Sequence, residues 1–235
     1  ISYRLVGSEM CIRDRCVVRP ATLPGPAPAW DTPFGLPDAH GIVGESVAAW
    51  RLRRELAFAA VREGHALITG ESGTGKELAA RCLHACSARR RRPIISRSAA
   101  TLPAGLVDAE LFGNIRDYPN PGMPDRPGLI GTADQTTLFL DEIGELPHAS
   151  QAHLLRVLDG GEYQRLGEKR SRTSDLRLVA ATNRGADALK GDFAARMPHR
   201  IVLPGLDARR EDIPLLASHL LLSLIHISEP TRRYE

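Results

Sequence analysis

Long apolar runs are missing from this sequence. None reaches the roughly 18 residues that a membrane-spanning helix requires, although 43% of the 235 residues are hydrophobic. Aromatic side chains are scarce, at 5%. Only four cysteines occur, none at metal-ligand spacing, a usage that suits a reducing, cytoplasmic compartment. Cys82 and Cys86 sit four apart on one helical stretch and read as small packing residues, not a disulfide. A strong charge of either sign is also lacking. The formal net charge of +3 is too small to imply nucleic-acid binding. The one concentrated run, Arg89-Arg90-Arg91-Arg92, reads as a solvated turn. What remains is the composition of an ordinary globular protein, long enough for one or two domains.

The most informative stretch is Gly70-Glu71-Ser72-Gly73-Thr74-Gly75-Lys76-Glu77. It fits G-x-x-x-x-G-K-[ST] at every fixed position but the last, where Glu77 stands. Ala66-Leu67-Ile68-Thr69 precedes it as a buried parallel strand should, and Leu78 to His84 follows as a helix. Glycines in such a loop let backbone N–H groups turn toward phosphate oxygens, and the helix N-terminus adds partial positive charge. Lys76 would reach the β- and γ-phosphates. The place of Glu77, where a hydroxyl would ordinarily ligate Mg²⁺, is open between a carboxylate ligand and a helix cap.

Along the chain, 16–40 is rich in proline and alanine and reads as an extended linker. Val47 to Val61 has helical periodicity, with Trp50, Leu52, Leu56, Phe58 and Val61 as candidate core contacts. Strands are expected at Pro93-Ser96, Thr137-Glu142, Leu176-Ala181 and Arg200-Leu203, and helices at Leu106-Phe112, Ser150-Leu158 and from Asp212 to Leu221. Asn114 to Pro127 carries four prolines and reads as a long loop, and Tyr163 to Asp175 as a polar hairpin. Alternating strands and helices point to an α/β fold with a mostly parallel sheet covered on both faces.

The two ends read differently. Met10 to Arg15 and Leu222 to Ile227 can be coded by opposite strands of one DNA sequence. This resembles a sequencing adapter translated at both ends of a fragment. Residues 1–15 and 222–235 are therefore expected to be foreign, and 41–221 to be the folded domain.

Phosphoryl transfer needs positioned phosphates, a metal and an oriented attacking group. Asp141, at the carboxyl end of a buried strand, is placed to hold Mg²⁺ directly or through water. Glu142 beside it could polarise the attacking water. Asn183, at the end of the next strand, reads either as a water- or γ-phosphate-positioning amide or as a turn residue.

The loop, Ala109-Glu110-Leu111-Phe112-Gly113, Thr137 to Leu146, Ala180-Ala181-Thr182-Asn183-Arg184 and Arg209 to Ala217 together resemble the AAA+ ATPase domain of bacterial sigma-54-dependent transcription activators. The resemblance implies a P-loop NTPase three-layer sandwich, with a C-terminal helical lid beyond this stretch. It implies ATP and Mg²⁺ as cofactors. It further implies ring homo-oligomers, usually hexamers, that remodel the sigma-54 RNA polymerase, with DNA contacted only through a separate domain. By position, Gly70 to Glu77 is Walker A, Asp141 and Glu142 are Walker B, Asn183 lies in sensor I, and Arg196 is a trans-acting arginine finger. An earlier finger arginine aligns with Lys190. Two departures stand out. Where the family carries G-A-F-T-G-A, this chain has Asp117-Tyr118-Pro119-Asn120-Pro121-Gly122, and the Asn that restrains the Walker B glutamate aligns with Ser98. A stretch ending before the lid is expected to hydrolyse ATP poorly. The alternatives are a nucleotide-binding AAA+ scaffold that no longer contacts sigma-54, and a small-molecule kinase with a similar loop.

Overall fold

The computed structural model describes residues 9–12, 15–18, 33–103, 105–184, 189 and 191–228. Lys190 lies outside the described residues. The chain divides into two units, Ile1–Glu55 with Pro204–Glu235, and Leu56–Leu203.

In the first unit, β1 (Glu9–Ile12) and β2 (Arg15–Val18) pair antiparallel. Helix α1 (Val47–Ala60) begins here. Its first turn is tied by Ser46, whose Oγ accepts the Ala49 N–H and donates to Asp212 Oδ2. Asp212 Oδ1 also accepts the Glu45 and Ser46 N–H groups. Asp38, within the proline-rich stretch, is buried and pairs with the buried Arg53 at 2.8 Å. Helix α7 (Ile213–Ser228) continues past Leu221, because Leu222, Leu224, Ile225 and Ile227 extend the same helix-forming pattern.

The second unit holds a five-stranded sheet in the order β4-β5-β8-β3-β9, all parallel. The strands are β3 (Ala66–Thr69), β4 (Ile95–Ser98), β5 (Thr137–Asp141), β8 (Arg177–Thr182) and β9 (His199–Val202). A two-stranded ribbon, β6 (Glu162–Tyr163) and β7 (Arg172–Thr173), supplies the expected polar hairpin. The helices are α2 (Lys76–Ala85), α3 (Val107–Phe112), α4 (Gly128–Thr132), α5 (His148–Gly160) and α6 (Gly191–Ala195). β8 is buried at every residue, as a central parallel strand covered on both faces must be. Leu138, Leu140, Leu178 and Ala180 meet Leu111, Ile130, Leu154 and Phe193 in one hydrophobic core. Phe58 and Val61 are exposed, not core. Val61 lies past the end of α1, and the Arg62 guanidinium covers the Phe58 ring at 3.4 Å. Among the described residues, no helix is long and apolar enough to cross a membrane.

Candidate active site

All five strands point the same way, so their carboxyl ends share one edge of the sheet. β8 lies between β3 and β5, and Thr69 sits level with Thr182, Ser98 level with Asp141. The chain leaving β3 is the glycine loop, the residues ending β5 are Asp141 and Glu142, and the residue after β8 is Asn183. The loop and the acidic pair are thus two strand spacings apart, about 10 Å. This juxtaposition at the carboxyl edge is where open α/β sheets bind ligands.

Gly73 and Gly75 take φ of 79° and 95°, a region that costs side-chain-bearing residues. Gly75 is the N-cap of α2 and has no side-chain cap, so the first N–H groups of that helix lack a side-chain partner. A Cβ at Gly70 would stand 2.9 Å from Thr74 Oγ1 and 3.0 Å from Leu203 Cβ, so the loop's first position also requires glycine. The Gly70 N–H donates to Thr182 O at 3.3 Å, fastening the loop to β8.

Lys76 is 8% exposed. Its Nζ donates to Gly70 O at 3.0 Å and Glu71 O at 2.8 Å, and both are neutral carbonyls. Among the described residues no carboxylate pairs with it. A buried cation is normally paired, so this ammonium suits an anion brought into the loop. Glu77 points elsewhere: Arg81 Nη2 pairs with its Oε1 at 2.7 Å on the exposed face of α2.

Asp141 Oδ1 accepts the Glu142 N–H at 2.9 Å, and Glu142 takes a left-handed conformation, φ 52°. Ser98, at the end of the neighbouring β4, donates from Oγ to Glu142 Oε2 at 3.0 Å. The shorter side chain therefore still reaches the glutamate. Hard carboxylate oxygens on a partly exposed strand end fit a Mg²⁺ ion, which takes one or two carboxylates and keeps several waters. Asn183 is exposed at the end of β8. Next to it, Arg184 Nη2 pairs with Glu145 Oε1 at 2.6 Å, linking that strand end to the segment behind the acidic pair. Both residues lie inside stretches singled out in the sequence, yet spacing alone gives no sign of their pairing.

Arg196 is not part of this cluster. It follows α6 and forks onto Asp159 at the end of α5, Nε to Oδ1 at 2.8 Å and Nη2 to Oδ2 at 3.3 Å. The hydrogen bond from Arg196 holds the Asp159 carboxyl below its ordinary value. β9, which starts three residues later, has His199 level with Ala66 at the amino edge of the sheet. Arg196 is therefore carried toward the end of the sheet opposite Lys76.

The 114–127 loop is tied at its base. Asn114 and Arg126 exchange backbone hydrogen bonds, and Ile115 N–H donates to Leu166 O. Gly113 and Gly128 approach so closely that a Cβ on either would overlap the other's backbone. At the tip, Asp117 N–H donates to Met123 O, and Asp117 Oδ1 accepts the Gly122 N–H at 2.7 Å. Arg165 joins the loop to the ribbon, pairing with Asp125 at 3.0 Å and Glu168 at 2.9 Å. Arg172 and Arg165 together hold the Glu168 carboxyl down to about 2. A cavity of about 430 Å³ under the ribbon, lined by Asp108, His153, Arg156 and Arg165 among others, contains none of the residues at the sheet's carboxyl edge.

Comparison with known proteins places these features. The sequence profile of the sigma-54 interaction domain matches residues 42–203. The transcriptional regulatory protein ZraR of Salmonella typhimurium is 43% identical over 188 residues, covering 77% of this chain and 43% of that protein. The Nif-specific regulatory protein of Bradyrhizobium diazoefficiens is 41% identical over 190 residues, covering 78% and 33%. NtrX from Brucella abortus, solved in complex with ATP, superposes with a TM-score of 0.71 at 32% identity, covering 78% of this chain and 43% of that one. NtrX in complex with ADP gives 0.70. The chain spans less than half the length of these relatives.

Proposed function

The chain belongs to the sigma-54 interaction domain family, an AAA+ ATPase family of bacterial transcription regulators, and on that premise we propose that it binds and hydrolyses ATP as the working module of such a regulator. It acts in the cytoplasm as a ring homo-oligomer of hexameric type, and couples hydrolysis to remodelling of RNA polymerase carrying sigma-54. The observation that carries this reading is Lys76: a buried ammonium, hydrogen-bonded among the described residues only to the carbonyls of its own glycine loop, which leaves the same edge of the sheet as the acidic pair two strands away.

Each residue then has a task. Backbone N–H groups of Gly70 to Glu77 and the Lys76 ammonium hold the β- and γ-phosphates. Asp141 would hold Mg²⁺, directly or through water, and the ion supplies charge neutralisation on the phosphates. Ser98 engages Glu142 Oε2, which leaves Oε1 to take the proton of the attacking water. The Asn183 amide orients that water. Arg196 serves a neighbouring subunit, as its place near the sheet's amino edge favours, and stabilises charge on that subunit's γ-phosphate.

Single-turnover hydrolysis tests this. Turnover per subunit should fall on dilution below assembly and fall at least about 100-fold in Glu142→Ala. Turnover independent of dilution would favour a self-contained kinase-like enzyme. Equal turnover in Glu142→Ala would remove the acid from the chemistry.

A second reading rests on the loop tip, where the family's G-A-F-T-G-A is replaced by Asp117 to Gly122. The self-braced, acidic turn suits an AAA+ scaffold or motor whose target is not sigma-54. Grafting Gly-Ala-Phe-Thr-Gly-Ala onto 117–122 should then create sigma-54 binding that the natural tip lacks. Equal binding by both would return the loop to the first reading.

A further inference from the structure

The amino edge of the sheet, opposite the glycine loop, carries charge that the proposed chemistry does not use. A cleft of about 390 Å³ opens there, lined by Arg62, Glu63, His65, Arg89, Asp175 and Arg177, among others. Arg89, the first residue of the 89–92 run, lines it, and the rest of the run follows in the same turn after α2. The cleft and the adjoining turn together carry six arginines (62, 89–92 and 177) and three acids, Glu63, Asp134 and Asp175. That excess of three equals the formal net charge of the whole 235-residue chain, +3.

The arginines of the run divide by role. Arg89 is spent on Asp175, with Nη2 to Oδ1 at 2.6 Å and Nη1 to the carbonyl oxygen at 2.7 Å. Arg92 Nη1 donates to Asp134 O. These two fix the turn after α2. Arg90 and Arg91 are exposed, and no acid pairs with either among the described residues. Behind them, Arg177 is buried and donates to three backbone carbonyls. Burial and the nearby Arg89 charge bring its guanidinium down to about 10. It stays charged at neutral pH and adds to the positive field at the edge.

We propose that this edge, with Arg90 and Arg91 as its contacts, is a sequence-independent docking surface for the phosphate backbone of duplex DNA. Guanidinium forks match phosphate oxygens in pairs. Among the described residues, the cleft's exposed apolar lining is small, with Val61 its one large exposed apolar side chain, whereas protein–protein interfaces concentrate several aromatic and apolar anchors at their centres. The Arg62 guanidinium stacks at 3.4 Å on one face of the exposed Phe58 ring, four residues before it in sequence. A surface that is polar and strongly positive is the composition of a DNA interface. This departs from the expectation that DNA is met only through a separate domain, and it does not depend on the ATPase reading.

The test is fluorescence anisotropy of the 235-residue chain with a labelled duplex of arbitrary sequence, across a salt series. The natural chain should bind at low salt. Arg90→Ala with Arg91→Ala should weaken binding about tenfold and make the slope of log K against log salt shallower by about 2, one unit per lost phosphate contact. The variant's melting temperature should stay unchanged, since both side chains are exposed. ATP should not displace the duplex, because the glycine loop is at the other edge. No binding at low salt, an unchanged slope in the double variant, or displacement by ATP would each overturn the proposal. Preferential capture of a polyglutamate peptide would reassign the surface to an acidic protein.

Discussion

The proposed function assigns Lys76 to binding and Glu142 to chemistry, and single side chains can test that division. Removing the Lys76 ammonium deletes the one positive charge in the 70–77 stretch, so Lys76→Ala should weaken ATP binding by tenfold or more. Glu142→Gln keeps the shape and the Ser98 contact, so it should bind ATP normally while hydrolysis falls by about 100-fold or more. Ser98→Ala should leave affinity unchanged and alter turnover, because the Ser98 hydroxyl donates to Glu142. Two histidines give a pH dependence. His65 is desolvated by burial, which lowers its pKa below the ordinary 6.5; its Nδ1 accepts the Leu178 N–H. His84 is lowered for the same first reason. With folded values below the unfolded one, the unfolded chain binds more protons in that window. Stability should be fully present above pH 6.5 and decline as the pH falls below it, which urea unfolding at a series of pH values would show. The glycine loop, the acid pair and Asn183 were legible from the sequence because each is a local pattern at a strand end. Asp159 as the partner of Arg196, and Glu145 as the partner of Arg184, were not. Both pairings join residues 37 or more apart that only the folded chain brings together.

Elements carry their own consequences. Arg177 opens the central strand β8 and donates to Ala59 O, Ala60 O and Gly64 O, capping the last carbonyls of α1. Arg177→Met would leave those carbonyls unpartnered, at about 1–3 kcal/mol for each one that water cannot reach. We expect a loss of about 3 kcal/mol in urea unfolding with the sheet otherwise intact. At the base of the 114–127 loop, Gly128→Ala should force Gly113 and Gly128 apart. Faster amide exchange at Asn114 and Arg126, whose backbones bond each other, would report it. The strands were readable because apolar runs ended at turn residues, and their bounds shifted by only a residue or two. α4 and α6, at five residues each, were too short to show a helical period. Phe58 and Val61 were misplaced because periodicity gives a stripe but not its edges, and a nearby arginine can cover a ring as well as a core can.

For the whole molecule, the site on the proposed reading is half of a catalytic unit. On that reading the carboxyl edge would supply phosphate, metal and base positions, while Arg196 sits apart from them, paired with Asp159. Arg196→Ala should therefore leave ATP binding intact and depress turnover only where subunits assemble. Mixing it with Glu142→Gln subunits should restore part of the activity, since each mutant supplies what the other lacks. None of this could be read from composition: scarce aromatics, ordinary charge and few cysteines describe many folds. It follows from the order β4-β5-β8-β3-β9, which sets three sequence-distant strand ends side by side. The measurement that tests that arrangement most directly is calorimetric titration of ATP with Mg²⁺ into the natural chain, Lys76→Ala and Glu142→Gln. The account predicts matching affinities for the natural chain and Glu142→Gln, and an affinity at least tenfold weaker for Lys76→Ala. Equal ATP affinity in Lys76→Ala and the natural chain would contradict it.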